Sequence, residues 1–210
     1  MLRGGEARDM LRRLIRQFIG DRRATILAET AILMPVLTLV LFGGIEVSRY
    51  ALLQQKLNRT VVATSDLVSQ IQGTINETQI ANLFESADYV MRPFALGDNG
   101  NLIVTSVVQD PGDSPKVMWQ CRRAGSFAPA SELGVAGATA TLPAGFILRD
   151  GESFIYAEVI MNYEPFLFGQ FLGAQQLRYH AVFRPRFTAL RTLLPPPTPP
   201  SVPAVCASAP

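Results

Sequence analysis

Chemistry-bearing residues are few in this chain, and one of them sits where a charge is hardest to hold. Glu29 is the only acidic or basic side chain in the run Ala24 to Ile45, ATILAETAILMPVLTLVLFGGI. A carboxylate at the centre of a bilayer is disfavoured by about 3 kcal/mol and by less near the boundary, so a lipid-facing Glu29 calls for a partner. The remaining candidates form no enzymatic constellation. His180 is the one histidine; without a second His for a metal pair, or a Ser or Cys in a nucleophile motif, it reads as structural. Asp98-Asn99-Gly100 and Asp110-Pro111-Gly112-Asp113 lack the spaced carboxylates of a calcium loop and match ordinary turns. Gly134-Val135-Ala136-Gly137 has the wrong spacing for a phosphate loop and no Lys after it. The expectation is a non-enzymatic protein without metal or cofactor. Cys121 and Cys206, the two cysteines, join in one bridge if their part of the chain is exported to an oxidising compartment; two buried thiols are the alternative.

The element that positions Glu29 is a helix. At ~1.5 Å per residue the apolar run matches the ~30 Å thickness of a bilayer core, so a single-pass membrane protein is the starting point. Pro35 removes one backbone donor inside it, which predicts a kink near Met34 rather than a break. Seven arginines precede the run (Arg3, Arg8, Arg12, Arg13, Arg16, Arg22 and Arg23) against Glu6, Asp9 and Asp21. The positive-inside rule then puts the N-terminus in the cytoplasm and the bulk of the chain across the membrane. A cleaved secretory signal begins in the same way, but its apolar stretch is ~7–15 residues and ends at an A-x-A-like site that this chain lacks. Nucleic-acid binding is disfavoured because Phe18 is the only aromatic among the leading arginines.

At 210 residues, 48% hydrophobic and 17% charged, with mean hydropathy +0.20, the chain has room for one anchor and one modest domain. Helical periodicity continues past the apolar run through Leu53, Leu57, Val61, Thr64, Val68 and Ile71, so a single helix is predicted from about Thr25 to Gln72, with Gly73 as its C-cap. A second helix is predicted over Thr78 to Met91, with Ile80, Leu83, Phe84, Ala87, Val90 and Met91 on one face and a stop at Pro93. Leu102 to Gln109 and Lys116 to Cys121 read as a β-hairpin, Ala124 to Gly145 as an irregular loop, and Ser153 to Tyr163 and Gln176 to Arg184 as strands. The Pro-rich end from Leu194 reads as an extended, polyproline-like tail. The class is α+β, a long helix on a small antiparallel sheet. It divides into a basic leader (1–23), a membrane helix (24–45), an exported domain (46–190) and a tail (191–210).

The stretch Arg22-Arg23-Ala24, Thr25 to Ala31 around Glu29, Pro35, Ile45-Glu46 and Gln54-Gln55 resembles the TadE-like family, pseudopilins or minor pilins of tight-adherence, Flp-type pilus systems. Trp119 with Cys121, Gly151 to Val159, Tyr163-Glu164-Pro165 and Arg184-Pro185-Arg186 are similar to that family's C-terminal part. The resemblance implies a type IV pilin-like layout and a non-enzymatic role in assembling a pilus for surface attachment. Its partners would be the inner membrane, other pilins, platform proteins and a prepilin peptidase. In pilin-like families that peptidase leaves a glutamate as the fifth mature residue, which puts the junction here between Ala24 and Thr25. Those families usually carry Gly before the cut and, in the Flp type, an aromatic after the Glu, where this chain has Ala24 and Thr30. A single-pass anchored periplasmic scaffold unrelated to pili is the other reading.

Overall fold

A 48-residue helix, α1 (Arg22–Ser69), is the longest element of the computed structural model, which describes residues 10, 12, 13, 15, 16, 22–166, 169, 173–197 and 204–209. It runs unbroken through Pro35, as a membrane-type helix can when the carbonyl freed by proline is satisfied elsewhere. The chain divides into two units, Met1–Ser48 and Arg49–Pro210. The basic leader lies mostly outside the described residues; Arg12, Arg13 and Arg16 within it are helical and exposed.

In the second unit α1 is amphipathic. Leu53, Leu57, Val61 and Val68 are fully buried, at the three- and four-residue steps that put side chains on one face of a helix. Between them the small polar side chains of Thr60, Thr64, Ser65 and Ser69 are buried too. Ser65 Oγ donates to the carbonyls of Ile155 and Ala181, each at 3.4 Å, and a side chain this short lets the helix backbone approach the sheet. The helix ends before the expected Gly73: the Gln70 and Ile71 amides donate to Leu67 and Val68 in a tightened last turn. Gly73, at φ 78°, instead turns the chain into β1 (Ile75–Asn76). Helix α2 (Glu77–Met91) starts on a capping box in which the Asn76 side chain accepts from the Gln79 amide and the Gln79 side chain accepts from the Asn76 amide. It buries Ile80, Phe84, Ala87 and Met91, but not Val90, which is exposed.

The strands are β2 (Gly100–Val108), β3 (Lys116–Arg123), β4 (Ser153–Tyr163), β5 (Gln175–Phe183), β6 (Leu193–Leu194) and β7 (Ala204–Ser208). Five of them make an antiparallel sheet in the order β5-β4-β2-β3-β7, and β1 pairs β6 in parallel. Alternation along the strands sends two sets of side chains to opposite faces. Leu102, Val104, Trp119, Cys121, Ile155, Ala157, Val159 and Met161 join α1 and α2 in the main core. Val107, Val117, Phe154 and Tyr156 form a second cluster with Leu133, Ala140 and Leu148 of the chain between β3 and β4. With both faces covered, β2 is buried at every position. The region read as an irregular loop is thus a lid on the outer face, held by hydrogen bonds such as Val117 N to Ala138 O at 3.0 Å and Thr141 N to Leu133 O at 3.0 Å.

The Pro-rich end departs from the expected extended tail. Residues 204–208 form β7, an edge strand on β3, and edges are where a proline-flanked segment can pair. The stretch after β5 is also fixed, because the Leu190 carbonyl accepts from both Trp119 Nε1 and Ser106 Oγ at 2.7 Å.

Candidate functional site

In the first unit the side chains of α1 from Thr25 to Phe42 are exposed among the described residues. Ile32 is 73% exposed, Leu27 70% and Leu39 64%. This stretch of α1 has a mean hydropathy of 2.1 and is long and apolar enough to cross a membrane. Two hydroxyls in and just past it do not oppose that: Thr30 Oγ1 donates to Ile26 O and Ser48 Oγ to Gly44 O, both at 2.8 Å, which removes the need for water to satisfy these two. Glu29 is exposed on this surface. It stands one helical turn from Thr25, about 6 Å along the axis at ~1.5 Å per residue. The Ala24–Thr25 junction lies within the helical backbone of α1.

Cys121 and Cys206 are brought together by register. They are directly opposed in the β3–β7 ladder, with Cα atoms 4.1 Å apart and a disulfide between them. Cys121 lies in the main core at 0% exposure, so the bridge ties the C-terminal strand to the interior.

A polar cluster that the linear sequence does not announce lies on the outer face of the sheet. Glu158, in the middle of β4, is fully buried. Its carboxylate accepts from Ser131 Oγ, from the Glu132 amide at 3.2 Å and from Arg178 of β5 at 2.7 Å. Arg178 also reaches the Ala130 carbonyl and lies 3.4 Å from the Glu132 carboxylate, and Tyr156 donates to Glu132 Oε2 at 3.1 Å. Burial holds Glu158 above the ordinary carboxylate range, ahead of the opposing hydrogen bonds and Arg178. Burial, reinforced by the Glu158 and Glu132 carboxylates, likewise raises the Tyr156 phenol. His180 stacks on Tyr156 at 5.2 Å, with Nδ1 4.0 Å from Glu132. The Ser131 hydroxyl is directed to a carboxylate already engaged by Arg178 and a backbone amide. The geometry clasps residues 130–133 of the lid onto the sheet.

The carboxylates of the two turn motifs are engaged with other side chains. Asp98 accepts from Ser126 at 3.0 Å, Asp110 pairs with Arg191 at 2.7 Å and Asp113 with Lys116 at 2.6 Å. Hydrogen bonding to Arg191 and to Lys116 lowers both Asp110 and Asp113 below the ordinary range. Among the described residues no three His, Cys, Asp or Glu side chains group to hold a metal ion.

Residues 24–64 match the family model described as TadE-like protein. The match takes in Glu29, the apolar run and the first turns of the packed half of α1. The downstream pieces, Trp119 with Cys121 and Gly151 to Val159 among them, lie outside it. No curated protein and no solved structure matches the chain.

Proposed function

We propose that this chain is a minor pilin or pseudopilin of a tight-adherence pilus, anchored in the inner membrane by residues 24–45. Its N-terminus is cytoplasmic, its sheet domain is periplasmic, and its role is assembly rather than catalysis. The observation that carries this reading is the single carboxylate, Glu29, in the exposed apolar run of α1, within the segment that matches the TadE-like model. A plain anchor has no use for an intramembrane charge, whereas a polymerising helix does. If a prepilin peptidase frees the Thr25 amine, that cation on a neighbouring subunit pairs with Glu29. The attraction is strengthened by low dielectric and sets the axial register as apolar surfaces leave lipid and bury against one another.

The anchored scaffold unrelated to pili draws support from the end of the family match at residue 64, which leaves the sheet domain outside it. Two measurements separate the readings. N-terminal sequencing of membrane-extracted protein should give Thr25 rather than Met1. Glu29→Gln, which keeps shape and removes charge, should leave the protein inserted and folded while pilus formation and co-purification with other pilus components fall severalfold. Normal piliation in a strain carrying only the Gln variant would favour the scaffold.

A further inference from the structure

The five-stranded sheet ends in β5, which pairs with β4 on one side and with no strand on the other. The register fixes where its backbone groups point. The Gln109 amide donates to the Glu152 carbonyl and the Asn162 amide to the Asn99 carbonyl, bonds that continue the β2–β4 ladder and turn the even-numbered residues of β4 towards β2. Backbone groups alternate in direction along an antiparallel strand, so Ile155, Ala157 and Val159 turn to β5 and meet Phe183, Ala181 and Tyr179. Arg178, His180 and Val182 therefore aim their amides and carbonyls away from the sheet, and among the described residues no hydrogen bond reaches those groups. A second feature lies on the inner face beside that edge. Ser65 Oγ reaches the carbonyls of both Ile155 and Ala181, so α1 there lies over the β4–β5 seam. With strands ~4.8 Å apart and a helix radius of ~5–6 Å, the helix overhangs β5, and a further strand would run under its flank. That flank is open: Asn58, Arg59, Val62, Ala63 and Asp66 line a groove with Phe183, and Val62 is 40% exposed. Asp66 is engaged by Arg186 and Gln70, whereas Arg59 has no ion pair among the described residues. On the outer side of the same edge Arg178, His180 and Arg184 face Glu158, Glu132 and Glu152, which leaves Arg59 as the uncompensated charge.

We infer that the β5 edge is a docking site for one extended segment of another polypeptide, added as a sixth strand, whose inward side chains are apolar and include one carboxylate. Main-chain bonds to Arg178, His180 and Val182 supply affinity, and the alternate side chains that enter the groove supply specificity. An apolar side chain meets Val62, Ala63 and Phe183. Arg59 stands one turn back on α1, ~4.5–6 Å along the axis, close to the ~6.6 Å between same-face residues of a strand, so the carboxylate belongs two residues from that apolar side chain. The charge also selects against a second copy. No Asp or Glu occurs between Pro165 and Pro210, so neither β5 nor the C-terminal strand of another copy supplies a partner for Arg59. Natural proteins usually blunt an edge with bulges or short strands, yet β5 pairs with β4 over nine residues without a shift in register. The site lies wholly in the second unit and holds whether the protein serves a pilus or a scaffold.

The test uses the detergent-solubilised full chain and a synthetic peptide with blocked ends, Thr-Val-Thr-Glu-Thr-Val-Thr, which carries Val, Glu and Val on one face of a strand. Residue-resolved hydrogen exchange is measured by NMR with and without it. In the free protein the amides of Arg178, His180 and Val182 should exchange severalfold faster than those of Tyr179, Ala181 and Phe183. Peptide should slow the first three severalfold and leave the others unchanged, an alternation that filling the groove alone would not produce. Arg59→Ala and Val62→Asp, both at exposed positions, should each weaken binding severalfold. A peptide with Gln in place of Glu should bind the parent about as weakly as the Glu peptide binds Arg59→Ala, with no further loss on that variant. Slow exchange at all six amides without peptide means that the edge is already covered and overturns the inference. Protection that rises with protein concentration alone assigns the edge to a second copy and also overturns it. So does an absence of binding, binding without alternating protection, or binding indifferent to Val62→Asp. Equal affinity for the Glu and Gln peptides overturns the acidic partner.

Discussion

Breaking the Cys121–Cys206 bridge isolates the term that fixes the C-terminal strand. Cys206→Ala is the suitable change, because Cys121 is fully buried in the core and, left as a thiol, behaves there as a small apolar group. The cysteines are 85 residues apart, and loop-closure entropy for a ring of that size amounts to about 4.5 kcal/mol. The strand itself offers little in exchange. β7 is paired at five positions, its hydrogen bonds contribute about 0.5–1.5 kcal/mol each, and ordering each residue costs about 1–2 kcal/mol, so the two nearly cancel. Without the bridge, β7 should therefore detach while the rest of the domain stays folded. In urea titrations of the detergent-solubilised full chain, Cys206→Ala is expected to lose about 2–4.5 kcal/mol relative to the oxidised protein, with the upper figure reached only if the native bridge is unstrained. Hydrogen exchange should accelerate at the β3 amides that face β7 and stay slow in β2 and β4. A loss under about 1 kcal/mol with unchanged exchange in β3 would refute the reasoning, since the strand would then be held by its own ladder.

Three further outcomes follow from particular contacts. Because burial raises Glu158 above its ordinary value of 4.5, the folded chain holds that proton more tightly than the unfolded one, and the stability it confers at acid pH is lost as pH rises through the folded value. Glu158→Gln lacks this loss, so its stability relative to the parent should improve as pH is raised from about 4.5 in parallel urea titrations; a relative decline would mean that Arg178 outweighs burial. Gly125→Ala places a Cβ against the Gly97 carbonyl oxygen and 2.7 Å from Gly97 Cα; as these are backbone atoms, about 1–3 kcal/mol of stability should be lost, and an unchanged denaturation midpoint would contradict the close approach. Protease added to spheroplasts should digest the sheet domain and spare an N-terminal tag; the reverse pattern would overturn the orientation drawn from the arginines.

The features legible in the sequence are those written in local pattern. The apolar run with Glu29, the stripe from Leu53 to Val68, the face of α2 and the alternation of β5 are such patterns, and β2 to β4 are β-branched and aromatic runs set off by turn residues; burying them leaves few choices of element. The cap of α2, Asn76 with Gln79, came from the structure: the periodic signal starts the helix at Thr78 and names no cap. The rest was decided by contacts between residues far apart in the chain. Composition makes the Pro-rich end a tail. Register sets Cys206 against Cys121 and turns residues 204–208 into an edge strand. Ser131 and Glu132 sit in a stretch without period, and only the sheet brings them to Glu158, more than 25 residues away, where a buried carboxylate must find donors. The same holds for Phe183 and Arg59. Sequence marks one as apolar and the other as basic, but their meeting in one groove beside β5 depends on strand order and on where α1 packs, and tertiary structure alone supplies both.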